Sequence, residues 1–576
     1  MVAWVDPPPI ETIYGQVQGL KPSQLKQLRR LYHQRLPRDR VTTPEFAQRL
    51  AAASQSVEQP LCAYVDRRGH VTRVGVGSPQ QTQIPPVELP RYGTERLCGL
   101  RCLATQLTDA PPNDAALTAM AIQRLDALAI LTLSGQGFQR RGGGGVGYVS
   151  GGYLAHLAPH ERWIVSPPTA LDDLITQDFI GLVEGLEEEF RREFVARQVD
   201  RDHDQVLVVG VVTKGLTSRE FSDRLAEVGR LVNTAGGDVI QTLSQKRSHL
   251  HPQTVVGQGK VQEIALAAQT TGATLVVFAQ DLSPAQVRNL ESRIGVRVVD
   301  RTEVILDIFA QRAQTGAGKL QVELAQLEYL MPRLIGRGRA MSRLGGGIGT
   351  RGPGETKLET ERRTIQRRIS RLQKEVNQLQ AHRGRLRQQR QNQEVTSVAV
   401  VGYTNAGKST LLNALTNAQV YTADQLFATL DPTTRRLSVP HAETGEPVPL
   451  VLTDTVGFIH ELPPSLMDAF RATLEEVTEA DVLLHVVDLS HPAWQGQIRA
   501  VEGILSELDL VPGLSLLAFN KLDQVDSEVL ETAKVLYPEA VFLSARDRLG
   551  LETLRLRLGK LVTEASGVDL ILPTLD

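Results

Sequence analysis

Residues 402–409 read Gly402-Tyr403-Thr404-Asn405-Ala406-Gly407-Lys408-Ser409 and directly follow the apolar run Val398-Ala399-Val400-Val401. The pattern G-x-x-x-x-G-K-S between a predicted strand and a predicted helix is typical of a phosphate-binding loop. Such a loop points backbone N–H groups and a helix N-terminus at phosphates, and its two glycines meet a steric need. We therefore predict that Lys408 contacts the β- and γ-phosphates of a nucleotide and that Ser409 binds Mg²⁺.

Three further motifs follow in the order expected of a nucleotide-binding α/β domain, each at the end of a predicted strand. Asp454-Thr455-Val456-Gly457 offers a carboxylate that can reach Mg²⁺ and a glycine N–H that can meet the γ-phosphate. Asn520-Lys521-Leu522-Asp523 ends the next motif-bearing strand, and its Asp523 carboxylate can accept hydrogen bonds from the N1–H and 2-amino groups of guanine. Ser544-Ala545-Arg546 completes a loop on the base side. The predicted nucleotide is therefore GTP.

The segment between the first two motifs is predicted to be a switch region that contacts the nucleotide. It reads Phe427-Ala428-Thr429-Leu430-Asp431-Pro432-Thr433. We choose Thr429 as the second Mg²⁺ ligand, with Thr433 as its competitor, and place Lys408, Thr429 and Gly457 in catalytic roles.

Two residues qualify the predicted chemistry. Ras-like GTPases orient the attacking water with a Gln directly after the Asp-x-x-Gly glycine, and here that residue is Phe458. Slow intrinsic hydrolysis is therefore expected, with a partner completing the site. Asn405 suggests a second route, because an Asn at this position in other GTPases holds a K⁺ that acts where an arginine would; the alternative is that Asn405 only hydrogen-bonds its own loop.

Length and composition set broad limits. The chain has 576 residues, with 63 basic and 65 acidic side chains, so we expect three or four domains and no overall charge preference. Three cysteines without a C-x-x-C pair fit buried thiols in a reducing cytoplasm. No window reaches 18 apolar residues, and we expect a cytoplasmic monomer without a transmembrane segment.

The pattern of strands and helices predicts a multidomain α/β fold. We place an α/β extension of unclear role at residues 1–200, a second α/β domain at 205–312, and a basic antiparallel coiled-coil hairpin at 313–394. A P-loop GTPase domain is placed at 395–562 and a short C-terminal segment with a strand from Val568 to Leu572 at 563–576. Within the extension, Leu171 to about Val199 is predicted as one acidic helix, and the glycines at 142–145 and 151–152 as a loop.

The hairpin prediction rests on heptad spacing and on charge. Its apolar residues recur in a 4-3 pattern, at Leu320, Leu324, Leu327, Met331 and Leu334 and again at Leu358, Ile365, Ile369, Leu372, Val376, Leu379 and Leu386. From Arg333 to Arg390 there are 16 Arg and Lys residues against 4 Glu residues, a net charge of +12. Because one sign dominates and Gly336 to Gly354 forms a Gly- and Arg-rich tip, phosphate-backbone binding is favoured over a solvated face.

Two basic or histidine-bearing turns leave alternatives open. Gly257-x-Gly259-Lys260 before a helix can bind a phosphate of RNA or of a nucleotide, or can be an ordinary turn. His249 and His251, like His156 and His160, have no third ligand in register, which favours loops over metal sites.

Taken together, the motifs GYTNAGKS, DQLFATLDPT, DTVGFI, NKLD and GGGIGTRGPGETKLE resemble those of the HflX family of translational GTPases. The resemblance covers about residues 206–562. It implies GTP hydrolysis, binding to the large ribosomal subunit and its RNA, and splitting or rescue of stalled ribosomes under stress. Some longer members carry a His-Thr-His stretch shortly after an Arg-Cys pair, but here Arg101-Cys102 leads into Leu103-Ala104-Thr105-Gln106, so no metal site is expected there.

Three functions from different classes therefore stand side by side. The first is a ribosome-acting GTPase, favoured by the basic hairpin beside the nucleotide domain. The second is a nucleotide-driven remodeller of free RNA that uses the turn near Lys260. The third is a GTP-dependent switch that binds protein partners through the acidic helix of the N-terminal extension.

Overall fold

The computed structural model describes residues 11–568 except 86–87, 91–95, 141–143, 159–161, 199–202, 216, 335–361, 380–394, 417–425, 428–429, 431, 442–443, 461–476, 479 and 508–512. The chain divides into two compact units. Unit 1 comprises Met1–Thr213, Ile240–Val276 and Ala285–Val298, and unit 2 comprises Lys214–Val239, Val277–Pro284 and Val299–Asp576. The predicted domain 205–312 is thus divided between the two units.

The N-terminal extension forms a mixed sheet with helices. Its strands are β1 (Ile13–Gly15), β2 (Leu61–Asp66), β3 (Val71–Val76), β4 (Leu100–Gln106), β5 (Ala127–Arg140), β6 (Gly144–His156) and β7 (Ile164–Val165). They are ordered β1-β3-β2-β4-β5-β6-β7, with parallel pairing only at β1/β3 and β4/β5. The helices are α1 (Pro22–Arg29), α2 (Pro44–Val57), α3 (Asp114–Gln123), α4 (Leu171–Thr176) and α5 (Phe179–Gln198). Cys62, Cys98 and Cys102 are buried free thiols, as expected.

The glycine-rich stretch is largely a strand, so its prediction as a loop was wrong from Gly144 onward; residues 142 and 143 lie outside the described residues. The reason is close backbone approach. A Cβ at Gly151 would lie 2.9 Å from the Thr169 carbonyl oxygen, and one at Gly152 would lie 2.8 Å from that of Ile130. Glycine is therefore selected here by packing within the sheet and not by a need for flexibility.

The acidic helix predicted from Leu171 to about Val199 is two helices. Gln177 is extended and separates α4 from α5. Asp178 then caps the start of α5, because its side chain accepts a hydrogen bond from Gly181 N at 3.0 Å. Phe179 N donates to the Asp39 carbonyl oxygen at 3.1 Å. This tertiary hydrogen bond helps to fix the break, of which the Asp178 cap is a local signal.

The next region carries a four-stranded sheet in the order β11-β10-β8-β9. Its elements are β8 (Asp204–Val212), α6 (Ser218–Thr234), β9 (Gly237–Lys246), α7 (Gln258–Thr271), β10 (Leu275–Phe278), α8 (Pro284–Ile294), β11 (Arg297–Asp300) and α9 (Arg301–Arg312). Helix α6 begins with a capping box, because Thr217 Oγ1 accepts from Glu220 N and the Glu220 carboxylate accepts from Thr217 N. Strands and helices alternate as predicted.

The hairpin region contains helix α10 (Gly316–Leu334) and helix α11, residues 362–379. The predicted heptad residues of the two helices share one apolar cluster, formed by Leu320, Leu324, Leu327, Met331, Ile365, Ile369, Leu372 and Val376. Arg368 of α11 adds a bidentate ion pair to Glu323 of α10, with N–O distances of 2.7 and 2.8 Å. The predicted tip, Gly336 to Gly354, and the heptad positions Leu358 and Leu386 lie outside the described residues.

The GTPase domain is a six-stranded sheet ordered β13-β14-β12-β15-β16-β17, in which only β13 is antiparallel to its neighbour. Its elements are β12 (Thr396–Gly402), α12 (Lys408–Thr416), β13 (Thr433–Pro440), β14 (Pro447–Asp454), β15 (Val482–Asp488), α13 (Trp494–Glu507), β16 (Leu514–Asn520), α14 (Ser527–Leu536), β17 (Val541–Phe542) and α15 (Leu551–Val568). The carboxyl ends of the parallel strands meet at one edge, and all four predicted motifs start there.

The C-terminal boundary predicted at residue 562 was wrong. Helix α15 continues through it to Val568, because Leu554, Leu558 and Val562 are fully buried in the domain core. Val568 is therefore helical, and the remainder of the predicted strand lies outside the described residues. No helix among the residues that the structure describes is long and apolar enough to cross a membrane.

Candidate functional site

The phosphate loop lies between β12 and α12, and its two glycines are required by their surroundings. Gly402 has φ +152°, and a Cβ there would lie 2.2 Å from the Val486 carbonyl oxygen. Gly407 has φ +89°, and its Cβ would lie 2.3 Å from Asn520 Nδ2. Any side chain at either position would push the loop away from the neighbouring strands β15 and β16.

Lys408 begins helix α12 with a buried side chain. Its Nζ donates to the carbonyl oxygens of Gly402 at 3.1 Å and Tyr403 at 3.0 Å. Burial lowers the pKa of Lys408 to about 8, and Asp454 acts in the opposite direction. The ammonium is thus held under the loop, where a phosphate would supply the missing counter-charge.

Ser409 and Asp454, two predicted members of the Mg²⁺ region, are in direct contact. Ser409 Oγ donates to Asp454 Oδ2 at 2.6 Å. Hydroxyl and carboxylate oxygens are ligands that Mg²⁺ prefers, so this pair fits that ion. Ala428, Thr429 and Asp431 lie outside the described residues.

The loop that carries Gly457 is tied to strand β12 at one end and to the phosphate loop at the other. Thr455 Oγ1 donates to the Val400 carbonyl oxygen at 2.7 Å. Farther on, Phe458 N donates to the Gly402 carbonyl oxygen at 3.0 Å, and Thr404 N donates to that of Phe458 at 2.7 Å. Val456, between these ties, is buried. The fixed ends hold Gly457 beside the phosphate loop.

Gly457 itself leaves no room for a side chain. A Cβ there would lie 2.8 Å from Thr404 Cα and 3.0 Å from Lys408 Nζ. Phe458 is 1% exposed, so its ring belongs to the core. Gly457 and Phe458 can therefore contact a nucleotide through their backbone groups and not through side chains.

The base-side motifs form one hydrogen-bonded unit. Asn520 joins two loops, since its Nδ2 donates to the Ala406 carbonyl oxygen at 2.9 Å and its Oδ1 accepts from Ala545 N at 2.9 Å. Asp523 Oδ1 accepts from Ser544 Oγ at 2.7 Å, which lowers the pKa of Asp523. Asp523 is exposed and remains ionised, as recognition of guanine requires.

The other predicted base-side residues have supporting positions. Lys521 has φ +66°, and its Nζ lies 2.7 Å from Asp488 Oδ2. Leu522 begins a short 3₁₀ turn, Leu522–Gln524, that places Asp523. Arg546 is exposed in the loop after β17.

The predicted switch residues are only partly described. Phe427 is buried, and its ring packs edge-to-face on Phe309 of α9 with centroids 4.9 Å apart. A nucleotide contact by Phe427 would therefore come from its backbone. Leu430 is half-buried.

Sequence reasoning missed two residues that contact Tyr403. The Tyr403 hydroxyl donates to Glu227 Oε1 of α6 and accepts from His460 N, each at 2.8 Å. Burial raises the pKa of both Glu227 and Tyr403. The available signal was weak: Glu227 is a carboxylate beside the buried Val228 and Leu231 on the apolar face of α6.

Known proteins match this arrangement of motifs. Three family models match: the N-terminal domain of GTP-binding GTPases at residues 222–310, their middle region at 312–390, and a model described as a 50S ribosome-binding GTPase at 397–521. The GTPase HflX of Escherichia coli K12 is 48% identical over 340 residues, covering 59% of this chain and 79% of that protein. The chain belongs to the HflX GTPase family. It is accordingly a GTP-binding enzyme that hydrolyses GTP.

One further HflX relative and one solved structure are also similar to this chain. The GTPase HflX of Alkalihalophilus pseudofirmus is 47% identical over 358 residues, covering 62% of this chain and 82% of that protein. A solved GTP-binding protein of Sulfolobus solfataricus, in complex with GDP, is 25% identical and covers 62% of this chain and 99% of its own, with a TM-score of 0.33.

We expect Asp523→Asn to weaken GTP binding by about 10- to 100-fold, because it removes two hydrogen bonds to a charged acceptor. Xanthosine triphosphate, which carries a carbonyl in place of the 2-amino group, should gain affinity relative to GTP. Titration calorimetry with both nucleotides measures the change. Glu528→Gln, on the nearby exposed surface of α14, is the control. Equal reductions in affinity for both nucleotides would contradict the assignment.

Proposed function

We propose that this HflX-family GTPase binds the large ribosomal subunit in a GTP-dependent manner and splits or rescues stalled ribosomes under stress. The observation that carries the proposal is a basic stripe on α11. Its residues are spaced four, four and three apart, which places them on one helix face: Arg363, Arg367, Arg371 and Lys374. All four are exposed.

The basic stripe lines an open groove of about 500 Å³ together with Gln366 and Ser370. Arg371 also pairs with Glu375 at 2.8 Å, whereas Arg368 is turned toward α10 through its ion pair with Glu323. Exposed guanidinium groups along one face suit the regularly spaced phosphates of RNA. The description of the model matched at 397–521, a 50S ribosome-binding GTPase, supports ribosomal RNA as that polyanion.

The proposed chemistry is hydrolysis of GTP with Lys408 at the β- and γ-phosphates and the Gly457 N–H at the γ-phosphate. Mg²⁺ would be held by Ser409 and Thr429, and when bound it neutralises charge on the β- and γ-phosphates. Thr404 Oγ1 is a buried hydroxyl without a hydrogen-bond partner among the described residues, and it could donate to a bound phosphate. Because Phe458 supplies no polar side chain, a ribosomal partner would complete the placement of water.

We also propose that K⁺ assists this reaction beside Asn405, which has φ +63° in the phosphate loop. At equal ionic strength, turnover in KCl should exceed turnover in NaCl severalfold, because the cation would stabilise charge that an arginine stabilises elsewhere. Asn405→Ala should remove the difference. Equal wild-type rates in the two salts would end this hypothesis.

Purified large ribosomal subunits should stimulate GTP turnover by on the order of 100-fold at fixed salt, since a partner that completes a GTPase site has effects of this size or larger. Lys408→Ala, which removes the phosphate contact, should not respond. If the folded, GTP-binding protein showed no stimulation, a remodeller of free RNA or a switch acting on protein partners would be the better conclusion.

Reversing two charges of the basic stripe, Arg367→Glu with Lys374→Glu, should weaken binding to the large subunit. The slope of log K against log salt should become shallower by about one for each phosphate that the variant no longer neutralises. Lys534→Glu with Lys560→Glu makes the same net charge change at exposed positions of α14 and α15. If both double variants lowered affinity equally, the stripe would not be the contact surface.

A further inference from the structure

The side chain of Tyr403 joins three separate segments of unit 2. Tyr403 occupies the first variable position of the phosphate loop, yet the residue is only 9% exposed and its hydroxyl contacts helix α6. Its hydroxyl donates to Glu227 Oε1 and accepts from His460 N, each at 2.8 Å. One oxygen therefore connects the phosphate loop, helix α6 and the segment that follows Gly457.

His460 is held by two further side chains. Arg301 Nη1 of α9 donates to the His460 carbonyl oxygen at 2.7 Å, and Arg224 Nη2 of α6 lies 3.1 Å from His460 Nε2. With the Tyr403 hydroxyl on its N–H, the backbone of His460 is fixed on both sides. Helices α6 and α9 thus set the position at which the Gly457 segment leaves the site.

A small displacement of the His460 backbone would be transmitted along the chain to Gly457, three residues earlier. Such a movement would act first on Phe458, whose N–H and carbonyl oxygen are both hydrogen-bonded to the phosphate loop, and through it on Gly457, which lies directly against Thr404 and Lys408. Because Phe458 has no polar side chain, the geometry that hydrolysis requires in this segment depends on its backbone groups. An error of about 1 Å in such groups can cost up to about 100-fold in rate.

We propose that Glu227 is a positioning residue for GTP hydrolysis, acting through the Tyr403 hydroxyl on the segment from Gly457 to His460. The carboxylate is 6% exposed and fixes the direction of the hydroxyl, whose remaining lone pair then accepts from His460 N. Helix α6 thereby becomes an element whose position changes turnover. This inference uses the GTPase activity alone and is independent of the ribosome.

The test is GTP turnover of the full chain without ribosomes. Tyr403→Phe and Glu227→Ala should each lower kcat by about tenfold while KM stays within about threefold. Glu227→Gln should stay within about twofold of the wild type, because its amide oxygen still accepts the hydroxyl proton. The Tyr403→Phe, Glu227→Ala double variant should be no slower than either single variant, since both break one connection.

Tyr537→Phe is the matched control, because it removes a hydroxyl from a partly buried tyrosine elsewhere in the GTPase domain. Amide hydrogen exchange at His460 should accelerate in Tyr403→Phe and not in the control. Thermal unfolding and GDP binding establish that each variant is folded. An unchanged kcat in folded Tyr403→Phe, or rate reductions that multiply in the double variant, would overturn the proposal.

Discussion

The site depends on keeping the positive charge of Lys408 in a pocket that water barely reaches. Its ammonium is bonded to two carbonyl oxygens, and burial brings its pKa down to about 8. Retaining the charged form costs on the order of 3 kcal/mol relative to an exposed lysine. A bound phosphate would offset that cost, so nucleotide binding and the ordered loop stabilise each other.

Strands β15 and β16 shape this pocket, because their close approach restricts the course of the phosphate loop. Gly402 passes against the Val486 carbonyl oxygen, and Gly407 passes against the Asn520 side chain. Asn520 in turn is bonded to Ala406 and Ala545. The phosphate side and the base side are therefore parts of one hydrogen-bonded structure at the edge of the sheet. A displacement of one side would be transmitted to the other.

The sequence predicted the parts of this structure that local patterns encode. The four motifs lie at the ends of β12, β14, β16 and β17, and the heptads of α10 and α11 share an apolar cluster, because strand ends and helix faces follow from short-range periodicity. Tertiary contacts account for the errors. Gly151 and Gly152 belong to a strand because neighbouring backbone approaches them, and α5 begins where Phe179 bonds to Asp39. The contact of Glu227 was not predicted because its partner, Tyr403, is 176 residues away in the sequence.

The absence of a Gln directly after Gly457 and the proposed role of Glu227 have a common explanation. A polar side chain after Gly457 could adjust by rotation to orient water, whereas a buried Phe458 cannot. With a partner completing the placement of water, this segment contributes its backbone, above all the Gly457 N–H, whose position is set by the contacts that fix the chain on either side. On one side these are the bonds from Phe458 to the phosphate loop, and on the other they are the contacts of His460 with α6 and α9. An apolar residue at 458 thus makes distant tertiary contacts part of the geometry of hydrolysis.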